Sequence, residues 1–208
     1  MSDSRLDESG GGPILSGDRD QRGPSAREFF SAKGVFTTRN VVVMAVLLGI
    51  RTILNLPFLT IYLGPNFKLI TFSYICDALT SMFFGPIAGI LFAFAGDTLG
   101  FFALSGAGGA YFPGFALSEA VTCFIFACFF YKRRVTLRRV IAAWLINLGV
   151  VLLGMNSLWL ILMYGMEAGK VFTFARVISN VVQSPAHIAI LFFLLTRIAT
   201  LEKKLGKR

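Results

Sequence analysis

Histidine occurs once in this sequence, tryptophan twice and cysteine three times, and charged residues make up only 15% of its 208 positions. Each scarcity excludes something. So few charges cannot clothe a soluble domain of this length. The lone His187 has no second imidazole with which to hold a metal, and reads as a satisfied core residue. Cys76, Cys123 and Cys128 lie in apolar stretches without metal-ligand spacing, and read as buried, inert thiols. HExxH, CxxC and GxSxG patterns do not occur. The glycines at 106, 108 and 109 are not followed by Lys-Ser or Lys-Thr, so they form no cradle for ATP. No metal or cofactor is expected.

What is abundant is apolar. Hydrophobic residues make up 55% of the chain, and Phe alone occurs 22 times. Long apolar stretches dominate from Val41 onward, which places the chain in the membrane class. The net charge of +9 would point to nucleic acid in a soluble protein. Here the basic residues cluster in the tails and one connecting loop, so they read as orientation signals and nucleic acid is not an expected partner.

Residues 1–36 differ in kind: polar, Gly- and Ser-rich, and charged with both signs. They read as a disordered cytoplasmic tail, without the basic, apolar and small-residue order of a cleaved signal peptide. Residues 37–201 form the membrane domain, and 202–208 a basic cytoplasmic tail. Apolar segments of near-spanning length run over 38–56, 69–84, 85–104, 112–131, 140–164 and 171–200. The join between the second and third rests on Gly85-Pro86 and requires a tight turn. The expected fold is therefore an all-α integral membrane protein, a six-transmembrane-helix bundle. Basic residues before the first span, in the 132–139 loop and after the last span fall on one side, while the opposite loops hold only Lys68 and Lys170. By the positive-inside rule both termini are cytoplasmic.

Arg51, Asp77, Asp97, Glu119 and Arg176 interrupt these spans. Each costs at least ~2.5 kcal/mol to insert and needs water or a partner. At a rise of ~1.5 Å per residue, Arg51 lies ~8 Å, Asp97 and Glu119 ~10 Å, Asp77 ~12 Å and Arg176 about one turn below the outer surface. Asn156, Asn180 and Gln183 share that zone. The bias suggests a polar cavity open to the outside, capped by loops rich in Gly, Pro and aromatics. A structural reading stands beside it: Arg51 snorkels to the headgroups, or Asp77 pairs with Arg51 and Asp97 with Arg176. "LSGAG" around Ser105 faintly suggests a serine hydrolase, but His187 lies in the inner half of its span. The ~3 Å bond of an activated serine does not bridge that depth, so the chain is not read as an enzyme.

Small residues recur in two stripes. Ala45 and Gly49 on the first span would let another helix approach closely, from a partner or from this chain. Gly85, Gly89, Ala93, Gly96 and Gly100 suit packing against the chain's own helices.

The run "FFGPIAGILFAFAGDTLGFF", the following "GGAYFPGF", "NSLWLILMYG" and "QSPAHIAI" resemble the substrate-binding S components of energy-coupling factor (ECF) vitamin transporters, the folate family most nearly. The resemblance covers roughly residues 37–200. It implies capture of a vitamin, folate first, from outside, and docking through Ala45 and Gly49 onto a transmembrane coupling subunit served by two ATPases. The family's signature there is Ala-xxx-Ala, so Gly49 is a departure that keeps the close approach. For such a ligand, Arg176, Lys68 and Lys170 suit the glutamate carboxylates. Asp97 suits the pterin's amino and ring N–H donors. Phe58, Tyr62, Tyr111 and Phe112 suit its flat rings. Gly106, Gly108 and Gly109 suit close backbone approach, and Ser105 and Asn156 complete the expected contacts. The expected location is the bacterial plasma membrane. Competing readings are an S component for another vitamin and a self-sufficient proton-coupled secondary transporter. The latter usually shows inverted repeats, which are not evident here.

Overall fold

The computed structural model describes residues 29–30, 35–56, 61–62, 68–70, 72–104, 111–165 and 174–205. The chain is built inside out. Arg51, Asp77, Thr80, Ser81, Asn147 and His187 are buried, whereas Val42, Val46, Leu91, Phe102, Leu162, Val182 and Phe193 face outward. Among the described residues, four helical stretches are long and apolar enough to cross a membrane: Ser73–Phe102, Pro113–Phe130, Leu137–Met163 and Asn180–Leu201. The protein is a helical, multi-pass membrane protein.

Helix α1 spans Thr38–Leu54, and the residue it buries is its arginine, Arg51. Its valines point outward, as lipid requires and water forbids. Next come two short antiparallel strands, β1 (Ile61–Tyr62) and β2 (Lys68–Ile70), pairing Ile61 with Ile70 and Tyr62 with Lys68. This small hairpin is an addition to the expected all-α architecture, and the helix that follows it begins at Ser73, a few residues beyond the expected Leu69. Ile and Tyr favour strands, and Pro65-Asn66 between them is a turn signal, so local preference prevails over the apolar run.

Helix α2 (Ser73–Leu104) contains a break at Gly85, with φ 85° and ψ −173°. That backbone region is essentially open to glycine alone. Pro86 then disfavours helical geometry at the residue before it while pre-setting φ for a new first turn. The break is a reversal. A Cβ built on Gly89 would lie 3.7 Å from the Cα of Ser81, whereas residues eight apart in a straight helix are ~12 Å apart. The tight turn expected at Gly85-Pro86 is therefore present, and Tyr131 lies over it, 3.1 Å from where a Gly85 Cβ would stand. Most of the small-residue stripe packs within the chain: Gly89 meets Ser81 and Cys123, Ala93 sits with Ala120 and Cys123, and Gly96 meets Arg51, while a Cβ at the buried Gly100 would meet no described residue within 4 Å.

Helix α3 (Pro113–Phe130) starts with Pro in its first turn and is the central element, burying Ala116, Ser118, Ala120, Cys123, Phe126 and Phe130. Helix α4 (Leu137–Asn147) runs through a π-helical segment, Leu148–Met155, into α5 (Asn156–Tyr164), which ends on Gly165 at φ 60°. Helix α6 (Phe174–Leu205) carries Pro185 within it. The main core joins Tyr74, Ala78, Phe126, Phe130, Val140, Trp144, Leu191 and Leu195. His187 belongs to it, as expected: its ring stacks 4.7 Å from Trp144, and Nδ1 lies 2.9 Å from the Gln183 carbonyl oxygen. Cys76 and Cys123 are buried free thiols, and Cys128 is half-buried. Within the polar N-terminal segment, Phe29 and Phe30 pack on Phe124, Phe29 also on Tyr131, and Val35 is buried against Phe84 and Ala88.

Candidate substrate-binding site

The reversal at Gly85 decides where the membrane charges meet. It folds the second limb of α2 back along the first, so Asp77 and Gly96 come to the same level beside α1 and α3. Arg51 fills the space between them. Its Nε donates to Asp77 Oδ1 at 2.8 Å, with both side chains almost fully buried. Its second guanidinium nitrogen lies 3.3 Å from Glu119 Oε2. The Arg51–Asp77 ion pair of the structural alternative is thus present, and Arg51, only 2% exposed, does not snorkel to the headgroups. A Cβ at Gly96 would sit 2.5 Å from Arg51 Nη1, so only glycine leaves room for the guanidinium.

Above this triad, toward the end of the bundle that holds Leu104 and Pro113, lies an acid with aromatic neighbours. Asp97 is half-buried and hydrogen-bonded by the Tyr111 hydroxyl. Thr98 Oγ1 donates to the Phe94 carbonyl at 2.8 Å and lies 3.2 Å from Tyr111 Oη. The Tyr111 ring stands 5.2 Å from Phe101 and stacks at 6.3 Å on Phe102. Phe112 packs 5.6 Å from Trp159, whose Nε1 donates to Ser118 Oγ at 2.9 Å. Gly114 makes this wall possible: a Cβ there would run into both the Phe112 and Trp159 rings. Half-buried Asn156 begins α5 directly after the π-helical segment, and its side-chain carbonyl oxygen is buried without a partner among the described residues. Such an atom costs ~1–3 kcal/mol unless something bonds it.

The structure therefore brings together Asp97, Tyr111 and Phe112 of the expected residues. Lys68 lies in β2 and Arg176 in the first turn of α6, with their side chains outside the described residues. So the expected Asp97–Arg176 pair also lies outside them, as do Ser105, Gly106, Gly108, Gly109, Phe58 and Lys170. Among the described residues Arg51 is the cation paired with the buried acids, and it serves Asp77 and Glu119, not Asp97. Ala45 and Gly49 are exposed on α1, and no described residue lies within 4 Å of a Cβ at Gly49. Trp159, Thr98 and Ser118 were not anticipated. The signal for Trp159 was its place three residues after Asn156 on a helix, one turn along the same face.

The arrangement pairs hydrogen-bond acceptors with flat aromatic walls, which suits a planar ligand rich in N–H donors. The model for the substrate-specific component of ECF transporters matches residues 39–200. The chain belongs to this family. Among similar proteins, the folate transporter FolT of Clostridium novyi (strain NT) is 35% identical over 123 residues, covering 59% of this chain and 70% of that protein. The folate transporter FolT of Leuconostoc mesenteroides subsp. mesenteroides is 27% identical over 168 residues, 76% of this chain and 85% of that protein. A crystal structure of FolT bound with folic acid superposes with a TM-score of 0.67 at 30% identity, covering 76% of this chain and 91% of that one. As an ECF substrate-specific component, the chain is a membrane transport subunit that binds substrate.

Proposed function

We propose that this chain captures folate at the outer face of a bacterial plasma membrane and delivers it through an ECF coupling subunit driven by two ATPases. The observation that carries the ligand reading is the Asp97–Tyr111–Phe112–Trp159 cluster in a chain so similar to folate transporters. Asp97 accepts from the pterin's amino and ring N–H groups, held for that task by the Tyr111 hydroxyl. Phe112 and Trp159 take the faces of the flat rings. The buried oxygen of Asn156 receives a further donor. Arg176, with Lys68, meets the glutamate carboxylates, and Ser105 and Gly108 supply further contacts.

Six membrane passes with both termini cytoplasmic fit this role. The reversal at Gly85 divides Ser73–Leu104 into two limbs, and the basic groups then gather on one side. Docking uses the exposed face of α1 at Ala45 and Gly49, where no described residue lies within 4 Å of a Gly49 Cβ, which leaves room for a helix of the coupling subunit.

The test is direct titration of the purified full-length chain with folate by calorimetry, together with its ultraviolet spectrum for a copurified pterin. Saturable one-to-one binding supports the reading. No heat, no pterin absorbance and no competition by folate analogues would refute it.

A further inference from the structure

We propose that Arg51 is a positioning residue that couples the docking face of α1 to the folate site, an inference that rests on the folate and docking readings above. Helix α1 has two faces of opposite character. Ala45 and Gly49 are exposed, and no described residue lies within 4 Å of a Cβ at Gly49. Arg51 lies two residues beyond Gly49, about 200° further round the helix, and is 2% exposed. A helix moves as a rigid unit over so short a stretch. Whatever seats itself on Gly49 therefore acts on Arg51.

Arg51 in turn touches each wall beneath the site. It bonds Asp77 on the first limb of α2, lies against Gly96 on the second, and reaches Glu119 on α3. Gly96 directly precedes Asp97. Glu119 directly follows Ser118, whose hydroxyl holds the Trp159 indole. One side chain thus reaches the immediate neighbours of the residues that take the ligand's polar edge and its face.

The two links are unequal. The bond to Asp77 is short, and both partners are sealed. The contact to Glu119 is 0.5 Å longer (3.3 Å against 2.8 Å), and the Glu119 side chain is 40% exposed. One guanidinium serves two carboxylates, so the Glu119 contact is the one that yields when α1 shifts. Buried ion pairs made through a planar fork depend steeply on geometry. Docking at the Ala45–Gly49 face draws Arg51 away from Glu119, the Ser118–Trp159 wall loosens, and folate is held less tightly. By linkage, bound folate weakens docking by the same factor.

The experiment compares folate affinity of the full-length chain in lipid nanodiscs, alone and assembled with the coupling subunit and both ATPases without nucleotide. The variants are Arg51→Lys and the triple R51M/D77N/E119Q. The triple removes the charges together, because Arg51→Met alone strands the sealed Asp77 carboxylate in the interior and leaves Glu119 unpaired beside it. In the wild type the assembled state should bind folate roughly 5–150-fold more weakly, the range usual for coupled sites. In the triple variant that ratio should collapse toward one. Arg51→Lys, which keeps the charge and loses the fork, should fall between, and it carries the test if the triple does not fold. A merely structural role lowers affinity and melting temperature in both states and leaves the ratio intact. An unchanged ratio in the variants, or equal wild-type affinities in the two states, overturns the proposal. Assembly that survives Ala45→Phe refutes the docking reading instead, and absence of folate binding by the lone wild type refutes the ligand reading.

Discussion

Replacing Gly85 with alanine should damage this protein out of proportion to the one carbon added. The damage has two sources, which a second substitution separates. At φ 85° and ψ −173° an L-residue is held in a conformation reserved for glycine, at a cost of ~1–3 kcal/mol. The new Cβ would also stand 3.1 Å from two carbons of the Tyr131 ring. That contact is tight, and Tyr131 is itself 6% exposed, so it has little freedom to withdraw. For a chain of this size each 1 kcal/mol is worth roughly 2–4 °C of melting temperature. The strain alone predicts a fall of ~2–12 °C. Trimming the ring in Gly85→Ala/Tyr131→Ala relieves the collision and leaves the strain, so a double-mutant cycle apportions the two. The assay is thermal unfolding of all four proteins in one detergent. If Gly85→Ala melts with the wild type, the chain does not reverse at this position, and the juxtaposition of Asp77 with Gly96 fails with it.

Asp97→Asn should weaken folate binding by roughly 10–150-fold, the worth of a hydrogen bond to a charged group. Arg176→Ala should weaken it as well, and calorimetry in which both leave affinity intact refutes the assigned roles. Trp159→Ala should cost roughly 1–3 kcal/mol of binding, by analogy with aromatic stacking on nucleobases. Trp159→Phe, which keeps a ring and loses the Ser118 bond, should cost less. An equal loss in the two variants would show that the hydrogen bond and not the face matters. Ala45→Phe should abolish copurification with the coupling subunit and ATPases, and unhindered assembly would place the docking face elsewhere.

Much of the architecture was legible because membrane sequence is constrained by a simple physical demand. Lipid requires long apolar runs and tolerates a break only where the backbone groups find partners, so Gly85-Pro86 stood out as a turn. The Arg51–Asp77 pair was also foreseeable, since opposite charges at similar depth seek each other. Two things were not. The β1–β2 pairing was hidden because Leu69 and Ile70 extend the apolar run of the next helix, and hydropathy does not distinguish a strand from a helical turn. The role of Trp159 was hidden because an aromatic in a membrane span usually faces lipid or core. Only the clearance at Gly114 and the Ser118 hydroxyl reveal its fixed orientation, and both depend on which helices are neighbours. Glu119 was visible as a charge within an apolar run, but a linear sequence does not say which of several acids a single arginine will choose.

The chain has two tryptophans, and the fold gives them different surroundings. Trp144 is sealed in the interior against His187 and donates to Ser184 at 3.0 Å. Trp159 stands half-buried among the aromatic rings near Pro113. Indole emission is quenched and recoloured by what lies within a few ångströms of it. Without any attached dye, the molecule thus carries one lamp that reports whether the bundle is intact and another that, at the proposed site, should report whether its guest has arrived. Removing either indole leaves the other to be read alone.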